Sequence, residues 1–213
     1  MPELRIQDFL KTLRQTLNTL EKLPIPTISA INGSCMGGGL EMALATNLRV
    51  CAPNATLGLP EVQLGIIPGA GGIRRLRRLV GDSMASYLVL TSTRIPAHVA
   101  SAMGLVDLSS VEGDEQEWRK MDASRLRTLN IQHAINRARH ICLGGPVAVG
   151  AALRLLQAKD DDGTLEQEEY DRCVTVGRRD RDEALQAFAE KRLPEFKGAE
   201  AISSNISQGS ATD

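Results

Sequence analysis

The sequence lacks the features that mark several large classes of protein. Its 25 lysines and arginines stand against 26 aspartates and glutamates, so there is no basic excess to neutralise phosphate groups. We therefore expect neither nucleic acid nor an anionic membrane as the main partner. No apolar run approaches the roughly 20 residues of a membrane-spanning helix. A hydrophobic fraction of 42% and a charged fraction of 24% are typical of a soluble globular protein.

The cysteine spacing and the sequence at the two ends of the chain give two further expectations. The four cysteines show no Cys-x-x-Cys spacing and follow no hydrophobic leader, which argues against disulfides and a zinc site. We expect reduced thiols and no metal. The first residues are not typical of a transit peptide and the last three are not Ser-Lys-Leu, so the sequence taken alone predicts a cytoplasmic protein.

Hydrophobic periodicity divides the chain into an α/β part and a helical part. Residues 1–108 open with a helix over 4–23 and continue with strands at 27–31, 48–52, 55–58 and 104–106. Helices are predicted between those strands at 40–45, 73–80, 84–91 and 97–103. Residues 109–128 predict a surface loop or insertion, and residues 199–213 predict a disordered tail. The region 129–198 is predicted to be helical, with helices at 129–142, 146–158, 165–176 and 180–191.

Three consecutive glycines, Gly37 to Gly39, come immediately before the predicted helix 40–45. Free N–H groups at a helix start and the helix dipole favour negative charge, so this turn is a candidate site for an oxyanion or a phosphate. A tight turn or close packing of a strand on a helix is the alternative explanation of a bare glycine triplet. The turn matches neither a Walker loop nor a GxGxxG motif.

Two glutamates lie in apolar sequence near these glycines. Glu41 is surrounded by leucine, methionine and alanine, and Glu61 follows Leu59-Pro60. Burial raises the pKa of a carboxyl group toward the range useful in proton transfer, and a pair of carboxyls can divide acid and base roles. The alternative for Glu41 is a first-turn residue that complements the helix dipole. Neither glutamate identifies a site by itself.

The arginines and histidines each allow more than one structural or functional interpretation. A second glycine cluster at 69–72 precedes Arg74, Arg75, Arg77 and Arg78, which are compatible with a phosphate-bearing ligand and equally with a solvated helix face. The three histidines lie in separate helical segments without a nucleophile motif, and we expect solvated or packing roles for them. They are His98, His133 and His140.

Four ordered motifs resemble the signature of the enoyl-CoA hydratase/isomerase (crotonase) family. They are Pro24-Ile-Pro-Thr-Ile-Ser-Ala-Ile-Asn-Gly33, Met36-Gly-Gly-Gly-Leu-Glu41-Met-Ala-Leu-Ala45, Leu59-Pro-Glu61 and Gly65-Ile-Ile-Pro-Gly-Ala-Gly-Gly72. The resemblance extends over residues 5–198, and 187–192 resemble the family's C-terminal helix. Leu48-Arg49-Val50 and Ile66-Ile67-Pro68 lean toward the methylglutaconyl-CoA hydratase branch, whose RNA-binding lysines have no match here.

The resemblance implies an α/β fold, a crotonase-type superhelix of ββα repeats with a helical C-terminal trimerisation region. It implies reversible hydration of a 2-enoyl-CoA without a metal or separate cofactor, because CoA is part of the acyl-CoA substrate. Glu41 and Glu61 would hold the water and exchange protons, and the Gly38 N–H would donate to the thioester oxygen. Phe188 and Lys191 resemble residues that reach toward the CoA of a neighbouring subunit in trimers or hexamers.

The sequence departs from the family pattern at two places. Asn47 stands where many members have aspartate, which predicts a change in local hydrogen bonding. The chain also begins after the family's N-terminal strands and the Ala-Asp loop that supplies a second oxyanion donor. We therefore expect a truncated core with slow or absent turnover, since losing one such donor costs about a hundred- to a thousandfold in rate.

Two other functions compete with the hydratase interpretation. An enoyl-CoA isomerase is one, although the pair of glutamates favours hydration. A non-catalytic family member that associates with full-length relatives is the other. A targeting segment ahead of the chain would replace the cytoplasmic prediction with a mitochondrial or peroxisomal one.

Overall fold

A computed structural model describes residues 3–109, 118, 120–158 and 179–198. The chain divides into two units, Met1–Arg139 and His140–Asp213. The first unit thus includes most of a helix that the sequence assigned to the C-terminal region. The predicted helix 165–176 and the predicted disordered tail 199–213 lie outside the described residues.

The first helix, α1, spans Glu3–Glu21 and carries an apolar stripe along one face. Leu17 on that stripe is buried with Ala45 and Ala70, and Leu13 and Leu20 pack beside them. The prolines at 24 and 26 follow the helix and prevent its continuation. The helix therefore lies against the loop that contains Ala70.

The N-terminal unit repeats the order strand, strand, helix. The first repeat contains β1 (Ile28–Ile31), β2 (Ser34–Met36) and α2 (Gly38–Leu44). The second contains β3 (Leu48–Cys51), β4 (Thr56–Gly58) and α3 (Gly72–Leu90). β1 pairs in parallel with β3, and β2 pairs in parallel with β4. Corresponding strands of successive repeats therefore stack, as a ββα superhelix requires, although the sequence did not predict β2.

Among the described residues each sheet has three strands, in the orders β1-β3-β6 and β2-β4-β5. The added strands are β5 (Ile95–Pro96) and β6 (Leu108–Ser109), with α4 (Ala97–Ala102) between them. The predicted strand at 104–106 is wrong. Gly104 adopts a left-handed φ of 75°, and the chain turns there before pairing with β3.

Two helices differ in extent from their predictions. The helix α3 joins the predicted helices 73–80 and 84–91, and Gly81, with φ 76° and ψ 170°, bends it between them. The helix α5 spans Ala123–Cys142 and begins before residue 129, so the predicted loop is wrong at its C-terminal end. Asp122 caps α5, because its Oδ1 accepts the N–H of Arg125 at 2.8 Å.

The main core lies between the strands and the helices α2 and α3 of the two repeats. Its largest side chains that are fully buried come from α2, β4, the turn after β4, α3 and the segment before β6: Leu40, Leu57, Leu59, Leu76 and Leu105. Because α2 and the turn after β4 both contribute leucines to this core, the positions of Glu41 and Glu61 beside those leucines are fixed by packing.

The second unit contains α6 (Pro146–Gln157) and α7 (Arg179–Glu190) among its described residues. Ala151, Leu153 and Ala187 are buried in it. Asp180 accepts the N–H groups of Lys197 at 3.0 Å and Gly198 at 3.2 Å, which ties the end of the described chain to α7.

None of the described helices, taken singly, has both the length and the apolar character needed to cross a membrane. The consecutive helices α5 and α6 meet those two criteria only when they are counted together.

Candidate active site

Glu41 lies in the first turn of α2 and is 3% exposed. Its Oε1 accepts two backbone hydrogen bonds, from the N–H of Ala70 at 2.9 Å and from the N–H of Gly72 at 2.8 Å. Hydrogen bonds from amides to a carboxylate oxygen fix its position and satisfy its charge. The glycine-rich loop at 69–72 is therefore a cradle for Glu41.

Gly72 is required by the closeness of that contact. A Cβ atom at position 72 would lie 2.8 Å from Cγ and 2.9 Å from Oε1 of Glu41, which is shorter than van der Waals contact permits. Any other residue at this position would displace either the loop or the carboxyl group.

Glu61 begins a short 3₁₀-helix, Glu61–Leu64, and is 8% exposed. Its Oε2 is buried and accepts no hydrogen bond from the described part of the chain. Burial raises the pKa of the Glu61 carboxyl above its ordinary value, and the nearby charge of Glu41 raises it further. Glu61 is thus a buried carboxyl group whose pKa is raised, beside a second carboxyl group that accepts two backbone N–H groups.

Gly37 lies against Glu61 and immediately precedes α2. Its N–H donates to the carbonyl oxygen of Gly58 at 3.0 Å, and its φ of 54° is left-handed. A Cβ atom there would lie 3.1 Å from Oε1 of Glu61. The first glycine loop therefore approaches Glu61 while the second holds Glu41, which brings the two predicted residues into one site.

Gly38 is the first residue of α2. The first N–H groups of a helix have no partner within the helix, so they are free to meet an acceptor outside it. A Cβ atom on Gly38 would meet nothing within 4 Å, so the space beside this backbone is open. Gly38 is also exposed, so the residue predicted to supply an oxyanion donor lies at the surface of the chain.

Glu61→Gln is expected to stabilise the fold at neutral pH. Because the pKa is higher in the folded state, the wild-type protein loses stability as pH rises from the ordinary value of 4.5 through the raised one. Glutamine carries no charge and avoids that loss. Urea unfolding at several pH values should show a gain that is absent at low pH and grows as pH increases.

The matched control for this measurement is Asp82→Asn. The hydrogen bond from Arg77 and its charge lower the pKa of Asp82, so its ionised form is favoured in the folded state. The substitution should give the opposite sign, a loss of stability near neutral pH that disappears in acid. A gain for Glu61→Gln that did not change with pH would contradict the burial of its charge.

Phe188 and Lys191, the residues predicted to reach CoA, belong to the second unit. Phe188 is 85% exposed on α7. Lys191 follows α7 with a left-handed φ of 56°, and the N–H of Arg192 donates to the carbonyl oxygen of Ala187 at 3.0 Å. This hydrogen bond closes the helix end at Lys191, whereas Phe188 lies on the helix itself.

The arginine run after the second glycine cluster is occupied by ion pairs. Arg74, Arg75 and Arg78 contact Glu21 of α1, at 2.8, 2.9 and 3.2 Å respectively. Arg77 pairs with Asp82 at 2.7 Å. Arg75 is buried, so the solvated-face interpretation is wrong for this residue. The pairing supports a structural role over a phosphate site.

The remaining polar residues considered from the sequence are the three histidines and Asn47. His98 and His140 are exposed, and His133 is half-buried. Oδ1 of Asn47 accepts the N–H and the hydroxyl of Thr27 at 2.8 and 2.9 Å, so this position does set the local hydrogen bonds. Within the described ranges, no group of three or more His, Cys, Asp or Glu residues is placed to hold a metal ion.

Comparison with known proteins gives the same family as the motifs. Residues 4–199 match the sequence model of the family described as enoyl-CoA hydratase/isomerase. The chain is 46% identical to an enoyl-CoA isomerase/hydratase of Zymoseptoria tritici, over 90% of this chain and 61% of that protein. It is 45% identical to methylglutaconyl-CoA hydratase 1, mitochondrial, of Pyricularia oryzae, over 90% of this chain and 56% of that protein.

A solved structure shares the fold. The crystal structure of an enoyl-CoA hydratase from Bacillus anthracis superposes with a TM-score of 0.83 at 38% identity, over 93% of this chain and 72% of that chain. The stacked ββα repeats and the paired buried glutamates define a protein of the crotonase fold. The chain belongs to the enoyl-CoA hydratase/isomerase family. It spans 61% and 56% of the length of the two curated relatives above.

Proposed function

We propose that the protein catalyses the reversible addition of water to the double bond of a 2-enoyl-CoA thioester. The observation that carries this proposal is the pair of buried glutamates in one site, with one oxygen of Glu61 free of hydrogen bonds from the described residues. The match to the family and the names of its relatives support the same reaction. CoA is part of the substrate, and no separate cofactor is proposed.

The two carboxyl groups divide the proton transfers. In the hydration direction Glu41 accepts a proton from water as the water oxygen bonds to the substrate's Cβ. The electrons of the carbon–carbon double bond move toward the thioester, which becomes an enolate. Glu61, whose pKa burial raises above its ordinary value, gives its proton to Cα. Proton exchange from Glu41 back to Glu61 through solvent restores the starting state.

The N–H of Gly38 is proposed to donate to the thioester oxygen as negative charge develops on it. Its place at the start of α2 and the open space beside it support this role. Donors that are already oriented toward a developing charge stabilise the transition state more than the ground state. Gly38 therefore acts on the enolate while the glutamates move protons.

Phe188 and Lys191 are proposed to contact the CoA part of the substrate that is bound to a neighbouring subunit. The resemblance to the family's C-terminal helix supports this placement, and so does the exposure of Phe188. An exposed aromatic ring and a lysine ammonium suit the adenine and phosphate groups of CoA.

A homotrimer, alone or paired into a hexamer, is the proposed assembly. Leu156, Leu185, Phe188 and Leu193 of the second unit are all more than half exposed, and such apolar surface is typical of interfaces. Sedimentation equilibrium should give a mass near a multiple of three chains of 23.0 kDa. A monomer at micromolar concentration would contradict this assembly.

The proposed reaction is tested by following the ultraviolet absorbance of crotonyl-CoA, which falls as its conjugated double bond is hydrated. The same protein is incubated with a 3-enoyl-CoA, from which an isomerase would produce a rise in that absorbance. Loss of crotonyl-CoA with formation of 3-hydroxybutyryl-CoA supports hydration. Isomerisation without hydration would instead support the isomerase alternative, and no reaction of either thioester would support a non-catalytic family member.

Several relatives, from Pyricularia oryzae, Arabidopsis thaliana and mouse, are named as mitochondrial proteins. The cytoplasmic location of this protein stays a prediction, which subcellular fractionation would test.

A further inference from the structure

The residue Ala70 is held from two sides. Its N–H donates to Oε1 of Glu41 at 2.9 Å, and its carbonyl oxygen accepts a hydrogen bond from Nη1 of Arg75 at 2.7 Å. Ala70 is 1% exposed and Arg75 is 2% exposed. The loop that holds Glu41 is therefore hydrogen-bonded on its other side to the charged side chain of Arg75.

Arg75 is in turn held by α1. Its Nε donates to Oε2 of Glu21 at 3.0 Å and its Nη2 donates to Oδ1 of Asn18 at 2.9 Å. A guanidinium group presents its N–H donors in a rigid planar fork, so three contacts in different directions fix its orientation. Lysine carries the same charge, but its single ammonium group lacks this planar set of donors and could not make all three contacts together.

Glu21 supplies the charge that makes burial of Arg75 possible. Burial alone would raise the pKa of Glu21, but hydrogen bonds and charge from Arg74 and Arg75 hold it below its ordinary value. Glu21 is therefore ionised at neutral pH. A chain of contacts runs from Glu21 through Arg75 and Ala70 to Glu41.

We propose that Arg75 is a positioning residue for Glu41, acting through Ala70 and anchored by Glu21. This inference rests on the proposed hydration reaction. Proton transfer from water requires the Glu41 carboxyl group at a defined place, and a shift of about 1 Å in a reacting group costs roughly a hundredfold in rate. Arg75 is buried and hydrogen-bonded to Ala70, Glu21 and Asn18, so it acts by orienting the loop that holds Glu41.

The first test compares Arg75→Met with Arg78→Met in steady-state hydration of crotonyl-CoA. Arg78 lies on the same helix and contacts the same Glu21, but its side chain is 52% exposed, and the hydrogen bond to the Ala70 carbonyl comes from Arg75. Arg75→Met is expected to lower kcat by about ten- to a hundredfold with little change in KM, whereas Arg78→Met should leave kcat within about twofold. Unchanged kcat in a folded Arg75→Met protein would overturn the proposal.

A double substitution separates positioning from general damage to the fold. If Arg75 acts through Glu41, Arg75→Met should cause little further loss of kcat in a protein that already carries Glu41→Gln. A purely structural role would lower kcat by the same factor in both backgrounds, and that result would overturn the proposal. Arg75→Lys should recover only part of the lost rate, because one ammonium cannot replace the fork.

Hydrogen exchange does not depend on turnover, so it tests the positioning role of Arg75 separately from the proposed reaction. Amide hydrogen exchange by NMR should be faster at Ala70 and Gly72 in Arg75→Met than in wild type, and unchanged in Arg78→Met. If Arg75→Met fails to fold, Glu21→Gln takes its place. This substitution keeps an acceptor for Arg75, so exchange at Ala70 and Gly72 is expected to become faster by a smaller factor. If the wild-type chain hydrates no enoyl-CoA, the proposed function fails, and unchanged exchange at both amides would then overturn the positioning role as well.

Discussion

Glu41→Gln is expected to lower kcat for hydration of crotonyl-CoA by about 10²- to 10⁴-fold, the range that general acid–base catalysis contributes. Glutamine has the shape of glutamate, and its amide oxygen can keep the hydrogen bonds from Ala70 and Gly72. The substitution therefore removes the proton acceptor and leaves the cradle intact. Steady-state kinetics and calorimetric titration with 3-hydroxybutyryl-CoA measure turnover and binding separately.

Product binding should stay within a few-fold of wild type in Glu41→Gln, because no contact with CoA changes. Asp82→Asn is the control, since it makes the same chemical change at an exposed carboxyl that pairs with Arg77. Its turnover should be that of wild type. Near-normal turnover in Glu41→Gln would remove Glu41 from the mechanism, whatever the control shows.

Glu61→Gln is expected to cause a loss of turnover in the same range of about 10²- to 10⁴-fold, together with the gain in stability described above. The loss follows because glutamine has no carboxyl proton to give to Cα. Since the two glutamates act in one reaction step, the double substitution should be little slower than either single one. The kinetics of the three variants, measured beside their urea unfolding, test both effects.

Multiplicative losses in the double variant would contradict that coupling. A Glu61→Gln protein that lost turnover and also lost stability would indicate damage to the fold, and the assignment of Glu61 as proton donor would then be unsupported. The expected combination, lower turnover with higher stability at neutral pH, distinguishes a catalytic carboxyl from a structural one.

Much of the fold follows from local sequence, because the helices and most strands have clear apolar periods. The strand Ser34–Met36 was not predicted, since it is three residues long, lies between glycines and has no buried residue to give it a period. The strand predicted at 104–106 was misplaced because apolar Leu105 and Val106 are buried in a turn rather than in a sheet. Burial and strand formation produce the same apolar pattern over so few residues.

The two glutamates could be predicted, but not what holds them. The amides that bind Glu41 lie 29 and 31 residues further along the chain. The glycines at 69–72 were the visible sign of a close approach, but a glycine cluster does not identify what approaches it. The arginine run was equally ambiguous, because its partner Glu21 lies 53 or more residues away. Only the folded chain brings these groups together.

Isotope labelling tests whether the protein adds water across the double bond of an enoyl-CoA, as proposed above. Crotonyl-CoA is incubated with the wild-type chain in ¹⁸O-labelled deuterated water, and the products are separated and identified by mass spectrometry. We expect 3-hydroxybutyryl-CoA with ¹⁸O on Cβ and one deuterium on Cα, formed far more slowly by Glu41→Gln. Recovery of unlabelled crotonyl-CoA, or product formed equally fast by wild type and Glu41→Gln, would contradict this proposal.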